Sequence, residues 1–207
     1  MKSFEKLYYS VFTKKRSMKD AALKNLVSLN QVHGDSILKV DSANQEIDGD
    51  YDAVITNKKD VNLVIRVADC QAVSIYDPVR EVVANIHNGW KGSVKNIVGK
   101  TIKKMESESG CDPKDMYVWI SPSLGPCHAE FSDPLNELPE NLHKYILENN
   151  HVDFWKMTKD QCVQEGILEN HIEMPTQCTV CHSDIFYSYR ASKGGRDRFE
   201  VVIGMKD

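Results

Sequence analysis

The chain has 207 residues, of which 41% are hydrophobic and 27% charged, enough apolar material for one substantial core and a usage typical of globular proteins. Lysine and arginine number 26 against 30 aspartates and glutamates, a net charge of −4, which gives no electrostatic reason to expect nucleic acid as a partner. The longest apolar run, VNLVIRVADCQAVSIY, is broken by Arg66 and Asp69, so nothing in it reads as a membrane span.

The first 25 residues are locally basic, with Lys2, Lys6, Lys14, Lys15, Arg16, Lys19 and Lys24 against Glu5 and Asp20. Such a bias reads as a solvated face or, through Lys14-Lys15-Arg16, as an anion contact. LYYSVF is too short for the apolar segment of a secretory signal, and no small-residue cleavage site follows it. Six cysteines without an export signal then point to free thiols in a reducing, cytoplasmic setting, available for metal binding or catalysis.

Short Val- and Ile-rich segments follow at 36–40, 52–56, 61–68, 72–77 and 81–87, each bounded by Asp, Asn, Gly or Pro as strands are. Pro78 between the last two makes a tight connection, so 72–77 and 82–87 are expected to form a hairpin. Val94, Ile97, Val98, Ile102 and Met105 lie on one helical face until Gly110 stops the pattern. A strand is expected at 117–120, then the turn-rich SPSLGPC (121–127), a helix through Leu135, Leu138, Leu142, Tyr145 and Ile146, another over 158–169, and a closing strand at 198–205. The fold class expected is α+β, one domain over residues 1–207 with mixed β-sheets flanked by helices.

Three soft or borderline metal ligands stand at strand margins: His33 in NQVHGD, Cys70 in VADCQA and His87 in NIHNGW. Imidazole and thiolate suit zinc or copper, and catalytic zinc keeps three protein ligands and one open position. Pairing of the 72–77 and 82–87 strands would bring Cys70 towards His87. Read singly, Cys70 fits a small buried hydrophobe and each histidine a solvated or hydrogen-bonded side chain. Asp69 could orient a ligand histidine, accept a proton or cap backbone N–H groups. Trp90 could wall a base pocket or pack in the core, and Gly89 and Gly92 let backbone approach a substrate.

LNQVHGD, DAVIT, ADCQAVSIYD, VANIHNGWKGS, ISPSLGPCHAEF and CTVCHSDIFYSYRASKGGR occur in the order and spacing of the YfiH-type laccase-domain family, which this chain resembles over about residues 28–204. The resemblance implies a YfiH/CNF-like fold and a pocket in which His33, Cys70 and His87 bind zinc. It implies phosphorolysis of adenosine, inosine, guanosine or methylthioadenosine, with some adenosine deamination, by a monomer or homodimer. Copper and the oxidation of phenols belong to an older description of the family. Phosphate would be held by Arg190 in SYR and Arg196 in GGR, with Arg66 and Lys91 as less specific choices. The family's N-terminal arginine and Gly-Gly-x-Ser loop have no counterpart here, leaving Arg16 to stand in for the arginine. Its Trp-Arg-Gly element carries Lys91, which lacks the bidentate fork of arginine.

Other readings use overlapping residues. CTVCH (178–182) matches the c-type haem pattern, and a second zinc through Cys178 and Cys181 lacks another Cys/His pair at finger spacing. HAE (128–130) with CTVC (178–181) supplies most of a zinc nucleobase-deaminase signature, although Gln177 stands where proline belongs and Pro134 breaks the run. Cys70 with His87 could also act as nucleophile and base in a hydrolase. A scaffold without catalysis is the remaining class.

Overall fold

The Val- and Ile-rich run between residues 52 and 88 builds the centre of the structure, a computed structural model that describes residues 4–206. Lys2 of the basic stretch lies outside them. In chain order the elements are β1 (Leu7–Val11), β2 (Leu26–Ser28), β3 (Ile37–Lys39), β4 (Ala53–Thr56), β5 (Asn62–Val67), β6 (Gln71–Asp77), β7 (Val82–Asn88), α1 (Trp90–Val94), α2 (Ile97–Ser109), β8 (Tyr117–Ile120), α3 (Pro134–Glu137), α4 (Phe154–Gln164), β9 (Ile172–Glu173) and β10 (Phe199–Met205). No helix among the described residues is long and apolar enough to cross a membrane.

The strands form two mixed sheets, ordered β1-β10-β5-β2 and β3-β4-β7-β6-β8-β9. The expected hairpin is present: β6 and β7 pair antiparallel from Gln71↔Asn88 to Asp77↔Val82. Every residue of both strands is buried, because one face of the sheet meets the other sheet and the opposite face meets helices. Leu63, Ile65, Val201 and Ile203 of the first sheet pack with Val54, Tyr76, Val83 and Trp119 of the second. On the far side Ile97, Val98, Ile102 and Met105 of α2 cover Val73, Ile75, Ala84 and Ile86. A smaller cluster around Phe12, Val64 and Val202 closes the outer face of the first sheet.

All three expected helices differ from the sequence reading. The 94–110 pattern divides at Asn96, whose backbone is left-handed (φ 55°) and whose side chain accepts the Gly99 N–H to cap α2. The apolar spacing across 135–146 gives α3, four residues long, followed by a 3-10 helix at Glu140–Tyr145. Pro139 separates them, since it supplies no N–H to an α-helical ladder. The third helix runs Phe154–Gln164 and not 158–169. Strands β1 and β2 were not expected from the sequence; they pair with β10 and β5, far along the chain.

Asn85 joins the two sheets. Its amide donates to the carbonyls of Leu63 and Val201, each at 2.9 Å, and its Oδ1 accepts from Ser74 Oγ at 2.9 Å. An Asn85→Leu substitution keeps the volume while removing these partners, and burying polar groups without partners costs about 1–3 kcal/mol each. Urea denaturation should show a loss of about 3 kcal/mol; a loss near zero would contradict this role for Asn85.

Candidate metal centre

Asp52 immediately precedes β4 and is completely buried. Its carboxylate collects the main-chain N–H groups of three consecutive residues: His33 on Oδ1 at 2.9 Å, and Val32 and Gly34 on Oδ2 at 3.3 and 2.6 Å. His33 itself adopts a left-handed backbone conformation, with φ 60°, which turns the three amides inward as an anion-binding nest. The same Oδ1 lies 2.7 Å from Nδ1 of His87, at the end of β7. Burial pushes the Asp52 pKa upward, but hydrogen bonds from His87, Gly34 and Val32 outweigh this and hold it below the ordinary carboxylate value. An ionised carboxylate only accepts, so Nδ1 of His87 carries the hydrogen and Nε2 is left free for a ligand.

Register places the third member. Ala72 pairs with His87 across the hairpin, and Cys70 sits two residues earlier, at the turn from β5 into β6. Cys70 Sγ lies 3.8 Å from His33 Nε2, the His33 and His87 rings are 4.6 Å apart, and ligand atoms of His33, Cys70 and His87 all fall within 4.8 Å of one another. Tetrahedral zinc, with bonds of about 2.3 Å to sulfur and 2.0–2.1 Å to nitrogen, sets sulfur and nitrogen ligands about 3.6 Å apart. The three side chains are therefore arranged as a divalent ion would need them. Gly89 makes the approach possible: a Cβ there would stand 2.9 Å from His33 Cδ2 and 3.0 Å from Cys70 Sγ. Gly89 thus leaves room for His33 and Cys70, and it also lines the cavity.

Burial raises the Cys70 pKa, yet hydrogen bonds and charge from His33 and His87 carry it down to about 6. For His87, burial lowers the pKa, while Asp52 and Cys70 raise it to about 9. In the absence of metal the site is thus a thiolate–imidazolium pair at neutral pH, poised to exchange protons for a cation.

The cluster lies at the base of a cavity of about 690 Å³, within the span of roughly 300–1,000 Å³ common for small-molecule sites. Its walls include Trp90, Phe131, Phe154 and Tyr189; Trp90 and Phe131 meet edge to face at 5.8 Å. Trp90 is 39% exposed and so belongs to this wall and not to the core. Asp69 lines the cavity but does not orient a histidine; that role falls to Asp52. The Asp69 carboxylate accepts from Thr179 Oγ1 at 2.6 Å and from the Arg190 N–H at 2.7 Å, clamping the 178–190 segment to the β5–β6 turn.

The arginines divide. Arg190 lines the cavity and is braced by the carbonyls of His128 and Glu130, each at 3.1 Å. Arg196 and Arg16 do not line it. Arg196 is exposed in the 191–198 loop, and Arg16 packs over Phe12 on the outer face of the first sheet, with Nη1 3.4 Å from Ser10 Oγ. Arg66 and Arg198 line the cavity instead. Lys14 reaches the Ser183 carbonyl at 2.7 Å, so part of the basic stretch is spent on a neighbouring loop.

Residues 10–206 match the family model described as multi-copper polyphenol oxidoreductase laccase. Purine nucleoside phosphorylase YlmD of Bacillus subtilis is 30% identical over 75% of this chain and 59% of its own length, so the chain spans less than two thirds of that relative. A purine nucleoside phosphorylase of Clostridium acetobutylicum is 34% identical over 91% of this chain and 81% of its own. Among solved structures, hypothetical protein YfiH of Bacillus licheniformis aligns with a TM-score of 0.78 at 28% identity, covering 89% of this chain and 75% of that one.

Two outcomes follow from the site. Asp52→Asn removes the charge that orients His87, and loss of such a partner typically costs about 10–100-fold in metal affinity; chelator competition should register that loss, and unchanged affinity would remove Asp52 from the support of the site. In metal-free protein, alkylation of Cys70 should accelerate as pH rises through about 6, well below the ordinary thiol value near 9. Zinc should protect it, and equal rates with and without metal would take the sulfur out of the ligand set.

Proposed function

This chain belongs to the multi-copper polyphenol oxidoreductase laccase family, and on that premise we propose that it is a zinc-dependent purine nucleoside phosphorylase. Adenosine, inosine, guanosine or methylthioadenosine would react with inorganic phosphate to give the free base and the corresponding ribose 1-phosphate, with adenosine deamination as a side activity. The observation that carries the reading is the three-ligand set of His33, Cys70 and His87 opening into an aromatic-walled cavity. The relatives named purine nucleoside phosphorylase support it.

In this reading the residues divide the work. Trp90, Phe131 and Phe154 offer ring faces and edges to a purine, a flat apolar group that gains from stacking. Arg190 holds phosphate in the direction that its carbonyl braces impose, with Arg66 and Arg198 adding positive charge along the same cavity. Such positioning of two reactants is where much of the rate enhancement in a transfer reaction arises. Bound by His33, Cys70 and His87, zinc would supply Lewis acidity for the ribose or phosphate oxygens, and water activation when adenosine is deaminated. Asp52 keeps the His87 imidazole in one tautomer, and Asp69 holds the backbone of Arg190 at the cavity rim. The setting proposed is the cytoplasm.

Two histidines and one cysteine are also the ligand types of a copper electron-transfer site, which keeps oxidation of phenols as the second reading. Assays of inosine and adenosine with and without phosphate separate the two. Phosphate-dependent release of free base is expected, falling about 100-fold or more in Cys70→Ser. Base release independent of phosphate, or dioxygen uptake with phenols by copper-loaded protein in place of phosphorolysis, would overturn the phosphorylase reading. Arg190→Ala should raise the KM for phosphate about tenfold or more, the size expected when a charged hydrogen bond worth about 1.5–3 kcal/mol is lost.

A further inference from the structure

Four thiol and imidazole side chains converge at a second place, away from the ligands just described. Cys127 and His128 are adjacent in the turn that follows β8, whereas Cys178 and Cys181 form the Cys-x-x-Cys of the segment following β9. Some 50 residues of chain separate the two pairs, yet their ligand atoms all lie within 4.8 Å of one another. Cys127 Sγ and Cys181 Sγ are 3.7 Å apart, and His128 Nδ1 lies 3.2, 3.7 and 3.5 Å from the sulfurs of Cys127, Cys178 and Cys181. A tetrahedral zinc ion requires sulfurs about 3.8 Å apart and sulfur–nitrogen pairs about 3.6 Å apart, given bonds of about 2.3 Å and 2.0–2.1 Å.

We infer that Cys127, His128, Cys178 and Cys181 hold a structural zinc ion, a second metal site in each chain. The surroundings are shaped for it. The Gly125 N–H points at Cys178 Sγ from 3.3 Å, a donor suited to a thiolate. A Cβ at Gly125 would lie 3.0 Å from Cys178 Cβ and 3.3 Å from Cys127 Sγ, so a side chain there would press on the cluster. On loading, the three thiols release their protons to solvent and His128 coordinates as neutral imidazole, four donors closing around the ion.

The partner pair for Cys178 and Cys181 does not stand at finger spacing; two adjacent residues, Cys127 and His128, supply it. The fourth ligand also decides the class of site. His128, Cys178 and Cys181 do come together as the deaminase signature requires, but Cys127 takes the position at which such an enzyme holds its reactive water. A closed four-ligand set of this kind is structural. It ties the turn after β8 to the loop that carries Thr179 and Arg190, and so fixes the wall of the cavity in which Leu124, Phe131, Tyr189 and Arg190 stand.

Metal analysis of protein purified under reducing conditions tests this directly. Wild-type chains should carry two zinc ions. His33→Asn/Cys70→Ala, in which asparagine tolerates the left-handed backbone at 33, should keep one. Cobalt in that variant should give tetrahedral bands with strong thiolate charge transfer, absent from Cys127→Ser/Cys181→Ser. If the latter fails to fold, the first variant and its cobalt spectrum still decide. No metal in His33→Asn/Cys70→Ala, or a Cys127–Cys181 disulfide in place of an ion, would overturn the inference, whatever the nucleoside assays give.

Discussion

One buried carboxylate ties together His33 and His87, two members of the candidate metal centre. Asp52 has no contact with water, and an ion in that position persists only where hydrogen bonds replace hydration. Four donors do so, three from the His33 turn and one from the imidazole of His87. His33 and His87, distant in the chain, are therefore fixed by a single group that is not itself a member of the candidate ligand set. The strength of the arrangement lies in its economy of contacts: the backbone of one ligand and the ring of the other share one oxygen.

The two sheets supply what this carboxylate needs. β4 and β7 pair so that Ala53 lies opposite Ile86, which sets Asp52 beside His87 at one end of the second sheet. β6 returns antiparallel to β7 and delivers Cys70 to the same end. His87 thus stands at the end of a strand packed on both faces, which limits its drift, while His33 and Cys70 stand in turns beside it, the first pinned by Asp52 and the second by the start of β6. Asp69, at φ 83°, stands next to Cys70; its strained turn is held by Thr179 and Arg190.

Much of this was legible in the sequence, and the parts that were not have physical reasons. The hairpin between 72 and 87 is a local feature and can be read directly, whereas His33, Cys70 and His87, each ordinary by itself, are drawn together by the family resemblance. Asp52 was hidden in plain view: an aspartate before a strand ordinarily marks its boundary, and only the fold shows that its partners come from 18 to 35 residues away. β1 and β2 were missed because their pairing is with β10 and β5, so their stability is not encoded nearby. The 135–146 segment misled through its spacing of leucines, which Pro139 turns from one helix into two short turns. Arg16 and Arg196 were assigned by likeness of motif, and the course of the chain carries both away from the cavity.

Gly89 has a consequence for how such a pocket can diversify. It lies between a ligand, His87, and an aromatic wall residue, Trp90, and the space above it is already occupied by His33 and Cys70. A side chain at that position would crowd His33 and Cys70, so it cannot be enlarged without displacing them. Variation in what the cavity accepts is thereby shifted to other lining positions, such as 124, 131, 154 and 189, so one part of the pocket is held by its neighbours and the rest is free to drift.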